Sequence, residues 1–235
     1  MKDNGRLPAV TVRGFRAPFR PALAFVLLLA GGPAAATQVQ LRVVDAAGEP
    51  LTDAVVAVTT AASDGSAGSA DPAAAGTRAA TMAQQNQAFA PEILAISRGT
   101  RVKFPNLDDT QHHVYSFSPA KVFELPLYKG DTHEPVEFDK TGVVALGCNI
   151  HDDMRGYIFV ADTPHVALTD TGGLATIDGV PDGDYELTIW HQRAEEPFVP
   201  EPLTIDSRSL ELQRSIHVTP PRKPPVRGLK AWANQ

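Results

Sequence analysis

Cys148, His151 and Met154 follow one another at three-residue intervals in the stretch Gly147-Cys-Asn-Ile-His-Asp-Asp-Met-Arg-Gly156, and this cysteine is the only one in 235 residues. Thiolate and thioether are soft donors that suit copper, and imidazole suits it equally. A trigonal copper site takes one thiolate and two imidazoles, with methionine as a weak axial ligand. The stretch supplies all of these but one imidazole. A neighbouring strand is expected to provide it, and His112 and His113 both open the apolar run that ends at Phe117. Adjacent strand residues point to opposite faces, so one of the pair can face the metal, and alternation alone leaves either open. Zinc is the competing metal, but its structural sites use four Cys or His donors, for which methionine is a poor substitute. A catalytic Cys–His pair is the other use of these groups, yet no third group to orient the histidine presents itself. Core filling is the bland role for Met154.

The compartment bears on the thiol. Residues 1–36 carry five basic side chains, an apolar run from Pro21 to Ala30, and then Ala34-Ala35-Ala36. That order of charged region, short apolar core and small residues is the pattern of an export signal, so residues 1–36 are expected to be a signal peptide and the protein periplasmic. The apolar run is short for a membrane span, and no stable span is expected once the signal is removed. A lone cysteine in an oxidising compartment has no disulfide partner, so burial or ligation must protect it. Without residues 1–36 and the basic last sixteen, the body holds 12 basic and 26 acidic residues. Such a surface is a poor match for nucleic acid, and none is expected as a partner.

The elements that would position these groups read as short strands. Val39, Leu41 and Val43 alternate with polar residues, Asp45–Gly48 is a turn, and Ala54–Val58 is a second apolar strand. Residues 61–83 are rich in Ala, Gly, Ser and Thr and read as a flexible linker. Strands are expected near 89–96, 102–104, 112–117, 122–128, 135–138, 143–148 and 156–160, and again at 166–170, 174–177, 185–190, 203–205 and 209–218. Short strands at regular spacing, without helical periodicity, indicate an all-β sandwich or barrel. Residues 220–235 form a basic, proline-rich tail. Of the remaining histidines, His133 reads as a solvated turn residue, and His165 and His217 show no partners in sequence. His191 reads as a satisfied strand-end histidine, with a second metal as the lesser reading.

Residues 84–160 resemble the cupredoxins, the plastocyanin-like blue copper proteins. Phe104-Pro-Asn-Leu-Asp108, His112-His-Val-Tyr-Ser-Phe117 and Gly147-Cys-Asn-Ile-His151 carry the likeness. The Cys-x-x-His-x-x-Met spacing is most similar to that of amicyanin, and the same pattern also resembles proteobacterial proteins labelled methylamine utilisation proteins. Matching His112-His113-Val114 to the family's His-Asn-Val makes His112 the ligand and puts His113 where asparagine is usual. The resemblance implies a cupredoxin Greek-key β-sandwich at 84–162 with one type 1 copper ion bound by His112, Cys148, His151 and Met154. It implies one-electron transfer rather than catalysis, with His151 as the surface gate and a redox protein as partner, such as a periplasmic dehydrogenase or a cytochrome c. A periplasmic copper carrier or store is the alternative. Residues 37–60, with Thr169-Asp-Thr-Gly-Gly173 and Pro181-Asp-Gly-Asp-Tyr185, resemble transthyretin-like (carboxypeptidase regulatory-like) domains. That likeness implies a second small β-sandwich from 37–60 plus 163–219, into which the copper unit is inserted.

Overall fold

A computed structural model describes residues 37–61, 78–130, 133–206 and 209–221. The expected signal peptide, most of the expected linker and the basic tail beyond Pro221 lie outside these residues. Everything regular within them is β-structure. The chain begins with β1 (Thr37–Val44) and β2 (Val55–Thr60). Then come β3 (Ala79–Thr81), β4 (Ala83–Gln85), β5 (Ala88–Ala90), β6 (Ile93–Ser97) and β7 (Thr100–Lys103). Next are β8 (His112–Ser118), β9 (Lys121–Tyr128), β10 (Val136–Phe138), β11 (Gly142–Gly147) and β12 (Arg155–Ala161). Last are β13 (Val166–Leu168), β14 (Leu174–Val180), β15 (Gly183–Trp190), β16 (Glu201–Ile205) and β17 (Leu210–Ser215).

Two apolar cores organise these strands. In the first, the sheets β14-β1-β17 and β13-β2-β15-β16 enclose Val39, Leu41, Val56, Val58, Ile177, Leu187 and Ile189. The alternation read in β1 is real: Val39, Leu41 and Val43 are buried while Arg42 faces out. In the second, the five-stranded sheet β6-β12-β11-β8-β9 and the three-stranded sheet β10-β7-β3 enclose Met82, Phe104, Val114, Phe138, Val144 and Ile158. The strands of the first core lie on both sides of the second in sequence. Tyr157 and Phe159 of β12 lie within ring-contact distance of Trp190 of β15, at 5.5 and 6.1 Å. Arg98 and Asp162 form an ion pair at 2.8 Å.

The linker expectation needs correction at its end. Ala79–Thr81 pairs in parallel with β7, and Met82 behind it is fully buried. Small residues carry little strand signal of their own, but an apolar anchor and an unpaired edge on β7 organise them.

Candidate metal centre

Adjacent antiparallel strands fix the ligand loop. Gly147 at the end of β11 pairs with Arg155 at the start of β12, so residues 148–154 form one closed excursion between them. A Cβ at Gly147 would lie 2.8 Å from the ring carbon Cζ and hydroxyl of Tyr115, so a larger residue there would have to displace that ring. The ring of Tyr115 therefore packs directly over the strand that delivers the cysteine. The Met154 N–H donates to the His151 carbonyl at 2.9 Å, which folds the second half of the loop back on itself.

This geometry brings three donors together. His112, at the start of β8, has no exposed surface, Cys148 is buried and His151 is half-buried. The Cys148 Sγ lies 3.8 Å from the His112 Nδ1 and 3.7 Å from the His151 Nδ1. All three donor atoms lie within 4.8 Å of one another. Bonds of about 2.1 Å from a metal to nitrogen and about 2.3 Å to sulfur would span nitrogen–sulfur separations of about 3.6 to 3.8 Å. The observed spacings fall within that range without rearrangement. Met154 is also buried, and with Cys148, Gly147 and Tyr115 it lines a cleft of about 700 Å³ that neither His112 nor His151 lines.

His113 is not part of the cluster. Its Nε2 lies 2.8 Å from the Glu124 Oε1, and its ring lies 5.5 Å from that of Tyr115. Asp108, which sequence reading did not single out, contacts the cluster: one of its carboxylate oxygens lies 2.7 Å from the His112 Nε2. Burial pushes the Asp108 carboxyl up, but the N–H of Gln87, His112 and the N–H of Asn86 together hold it below the usual range. Asp108 closes the Phe104–Asp108 stretch that carries part of the family likeness, but nothing in the sequence assigned it a role.

Two further histidines, His133 and His191, are packed within the fold. His133 is only partly exposed, with its ring edge-on to Tyr128 at 4.5 Å, in place of the solvated position expected for it. His191 is buried, accepts the Arg193 N–H at Nδ1 and hydrogen-bonds the Thr52 backbone. Among the described residues, no second group of His, Cys, Asp and Glu converges as a metal site would.

Burial pushes the pKa of His191 down, the Arg193 charge adds to this, and the Thr52 contact and Asp53 offset part of it. A base depressed in the folded state binds its proton more readily when unfolded. Stability is therefore expected to fall as pH drops below about 6.5 and to level off below the folded-state pKa. His165, depressed by burial, adds to the same slope. His191→Gln should flatten this dependence, seen as a smaller gap between urea midpoints at about pH 7.5 and about pH 5.5. An unchanged gap would contradict it.

No family model matches the sequence, and the search of curated proteins found no match either. Solved structures do resemble parts of the chain. One is a Cu-containing nitrite reductase from Thermus scotoductus SA-01, at 25% identity over 36% of this chain and 22% of that one, with a TM-score of 0.34. A purple cupredoxin from Nitrosopumilus maritimus matches at 24% identity over 35% of this chain and 99% of that one, with a TM-score of 0.32. An amicyanin variant in its Cu(I) form matches at 19% identity over 35% of this chain and 82% of that one, with a TM-score of 0.33. The chain thus spans less than a quarter of the nitrite reductase. The likeness to cupredoxins expected from sequence falls in this part of the chain, where two sheets surround the second core, a histidine opens β8 and a Cys-x-x-His loop joins β11 to β12.

Proposed function

We propose that His112, Cys148 and His151 hold a single copper ion, with Met154 as a weak axial ligand, and that the protein carries one electron at a time. The observation that carries this reading is the separation of 3.7 and 3.8 Å between one buried thiol sulfur and two imidazole nitrogens. Two imidazoles and one thiolate, with methionine nearby, is the donor set that suits copper in electron-transfer sites. Copper so bound would supply a one-electron Cu(II)/Cu(I) couple. The protein side chains fill the coordination positions, which favours outer-sphere transfer over chemistry on a bound substrate. Cys148 would supply the thiolate, and the full burial of His112 keeps water from its ring. His151 is the least buried of the three clustered donors and serves as the exit for the electron.

The surroundings of His151 bear on its partner. Ile150 is half-exposed, and Asp152 and Asp153 are exposed in the same loop. An apolar contact ringed by negative charge suits a basic redox protein, with the charges steering the encounter. The rate constant for electron transfer to a basic partner such as a c-type cytochrome is expected to fall as ionic strength rises from about 10 to about 150 mM, as screening shortens the reach of the charges. Stopped-flow kinetics would show it, and a rate that is flat or rises with salt would contradict the proposed rim.

The export pattern of residues 1–36 supports a periplasmic site of action. We read residues 84–162 as a copper domain inserted into a transthyretin-like sandwich formed by 37–60 and 163–219, which positions it. Redox titration tests the function: a reversible one-electron couple supports transfer. Copper that binds but does not cycle would instead mark a carrier or store.

A further inference from the structure

We infer that Asp108, clamped by the corner of the β4–β5 hairpin, is a positioning residue that sets the tautomer and orientation of His112 for metal binding. The inference rests on the copper reading above. It concerns a part of the chain remote in sequence from the ligand loop.

A neutral imidazole has one nitrogen that donates and one that accepts, and the hydrogen bond at one decides which is free for a metal. An ionised carboxylate only accepts. With the Asp108 Oδ2 2.7 Å from the His112 Nε2, the ring proton sits on Nε2, and the Nδ1 lone pair is left facing Cys148. The ring is fully buried, so water cannot compete for either position.

Asp108 is itself held from two directions. The Asn86 N–H donates to its Oδ1 at 2.6 Å, and the Gln87 N–H donates to its Oδ2 at 2.9 Å. Asn86 and Gln87 form the corner between β4 and β5, and both are left-handed, with φ of 56° and 58°. That conformation is uncommon for side-chain-bearing residues, and here it turns two successive N–H groups toward one anion. From the other side, the Asn106 Oδ1 accepts the Asp108 N–H at 3.0 Å. The Asn106 Nδ2 donates to the carbonyls of Thr110 and Tyr128 at 2.9 and 2.8 Å. Tyr128 is the cross-strand partner of His112, so the loop 106–112 is pinned to the strand beside the ligand. The hairpin, the loop and the ligand strand thus meet on one carboxylate, whose two oxygens accept two backbone N–H groups and one imidazole N–H. A purely structural turn would need none of the imidazole contact.

Asp108→Asn tests this. Whichever way the amide is turned, it presents an NH2 to at least one of these donors. Outer-shell partners of ligating histidines are typically worth about 10- to 100-fold in metal affinity. The variant is expected to bind copper weaker by about that factor, measured by competition with a chelator of known affinity. Asp109→Asn, whose carboxylate lies 3.3 Å from the Lys129 Nζ at the surface, should leave affinity unchanged. Long-range proton–nitrogen NMR correlation on the wild-type protein gives an independent readout should Asp108→Asn misfold. His112 is expected as the Nε2–H tautomer with and without metal. An affinity for Asp108→Asn within about twofold of wild type, or an Nδ1–H tautomer in wild type, would overturn the inference. Absence of a thiolate-to-copper band in the copper-loaded wild type would instead overturn the copper reading beneath it.

Discussion

Cys148→Ser is expected to abolish the intense visible absorption of the copper-loaded protein and to weaken copper binding well beyond the 10- to 100-fold typical of an outer-shell loss. Cys148 is the one group among the three converging donors that can bind a metal as a soft anion, and its sulfur lies 3.8 and 3.7 Å from the two imidazole nitrogens. Serine keeps the shape but offers a hydroxyl, which does not ionise at neutral pH and is a hard donor. The fold should survive, because Cys148 sits where β11 ends rather than at the centre of a sheet. His113→Ala is the matched control. Its ring is paired with Glu124 and is not among the converging donors, so the visible band should persist. Loss of the band in His113→Ala, with retention in His112→Ala, would reverse the ligand assignment. Absorption spectra of the three variants at equal copper loading would decide it.

Phe138→Ala is expected to cost about 3–5 kcal/mol of stability, a large part of the roughly 5–15 kcal/mol of a typical domain. Phe138 has no exposed surface and sits edge-on to Phe123 at 6.0 Å, inside the core that carries the metal loop. Removing the ring forfeits its burial and leaves a cavity that neighbouring strands can fill only in part. Its backbone role, accepting the Gly99 N–H at 2.7 Å, is independent of the side chain. The loss should therefore come from packing alone. Because metal binds the folded site, copper should offset it, by about 4 kcal/mol when free copper exceeds its dissociation constant a thousandfold. Thermal unfolding of the metal-free and copper-bound variant would show a low midpoint restored toward wild type on loading. An unaltered midpoint in the metal-free variant would contradict the assigned core. Val199→Ala, at a largely exposed position, should leave stability nearly unchanged.

How much of this was legible depends on the physical range of each signal. The nearness of Cys148 and His151 was readable because both sit in one short excursion, with residue types that have few other uses together. Strand positions in β1, β8, β9, β11 and β12 were readable from alternation and β-branched content. The choice between His112 and His113 was not readable from alternation. The register of β8 against β9 shifts between His112 and Val114, and three successive residues there are buried. A strand irregularity removes the period of two on which such a choice depends. Asp108 was invisible for a different reason: its partners, Asn86 and Gln87, lie more than twenty positions away and act through backbone N–H groups, which every residue carries. Strand β3 was hidden because alanine and threonine beside an alanine-rich segment of small residues look like linker until β7 offers an edge. His191 could be weighed in sequence, but only the Thr52 and Arg193 contacts show how its ring is satisfied.

The central claim is that a thiolate and two imidazoles hold copper in a site built for electron transfer. Optical and electron paramagnetic resonance spectra of the copper(II)-loaded wild-type protein test it most directly. An intense thiolate-to-copper band in the visible, with narrow copper hyperfine splitting, is the expected result. A folded, copper-loaded sample with only weak visible absorption and wide hyperfine splitting would contradict it.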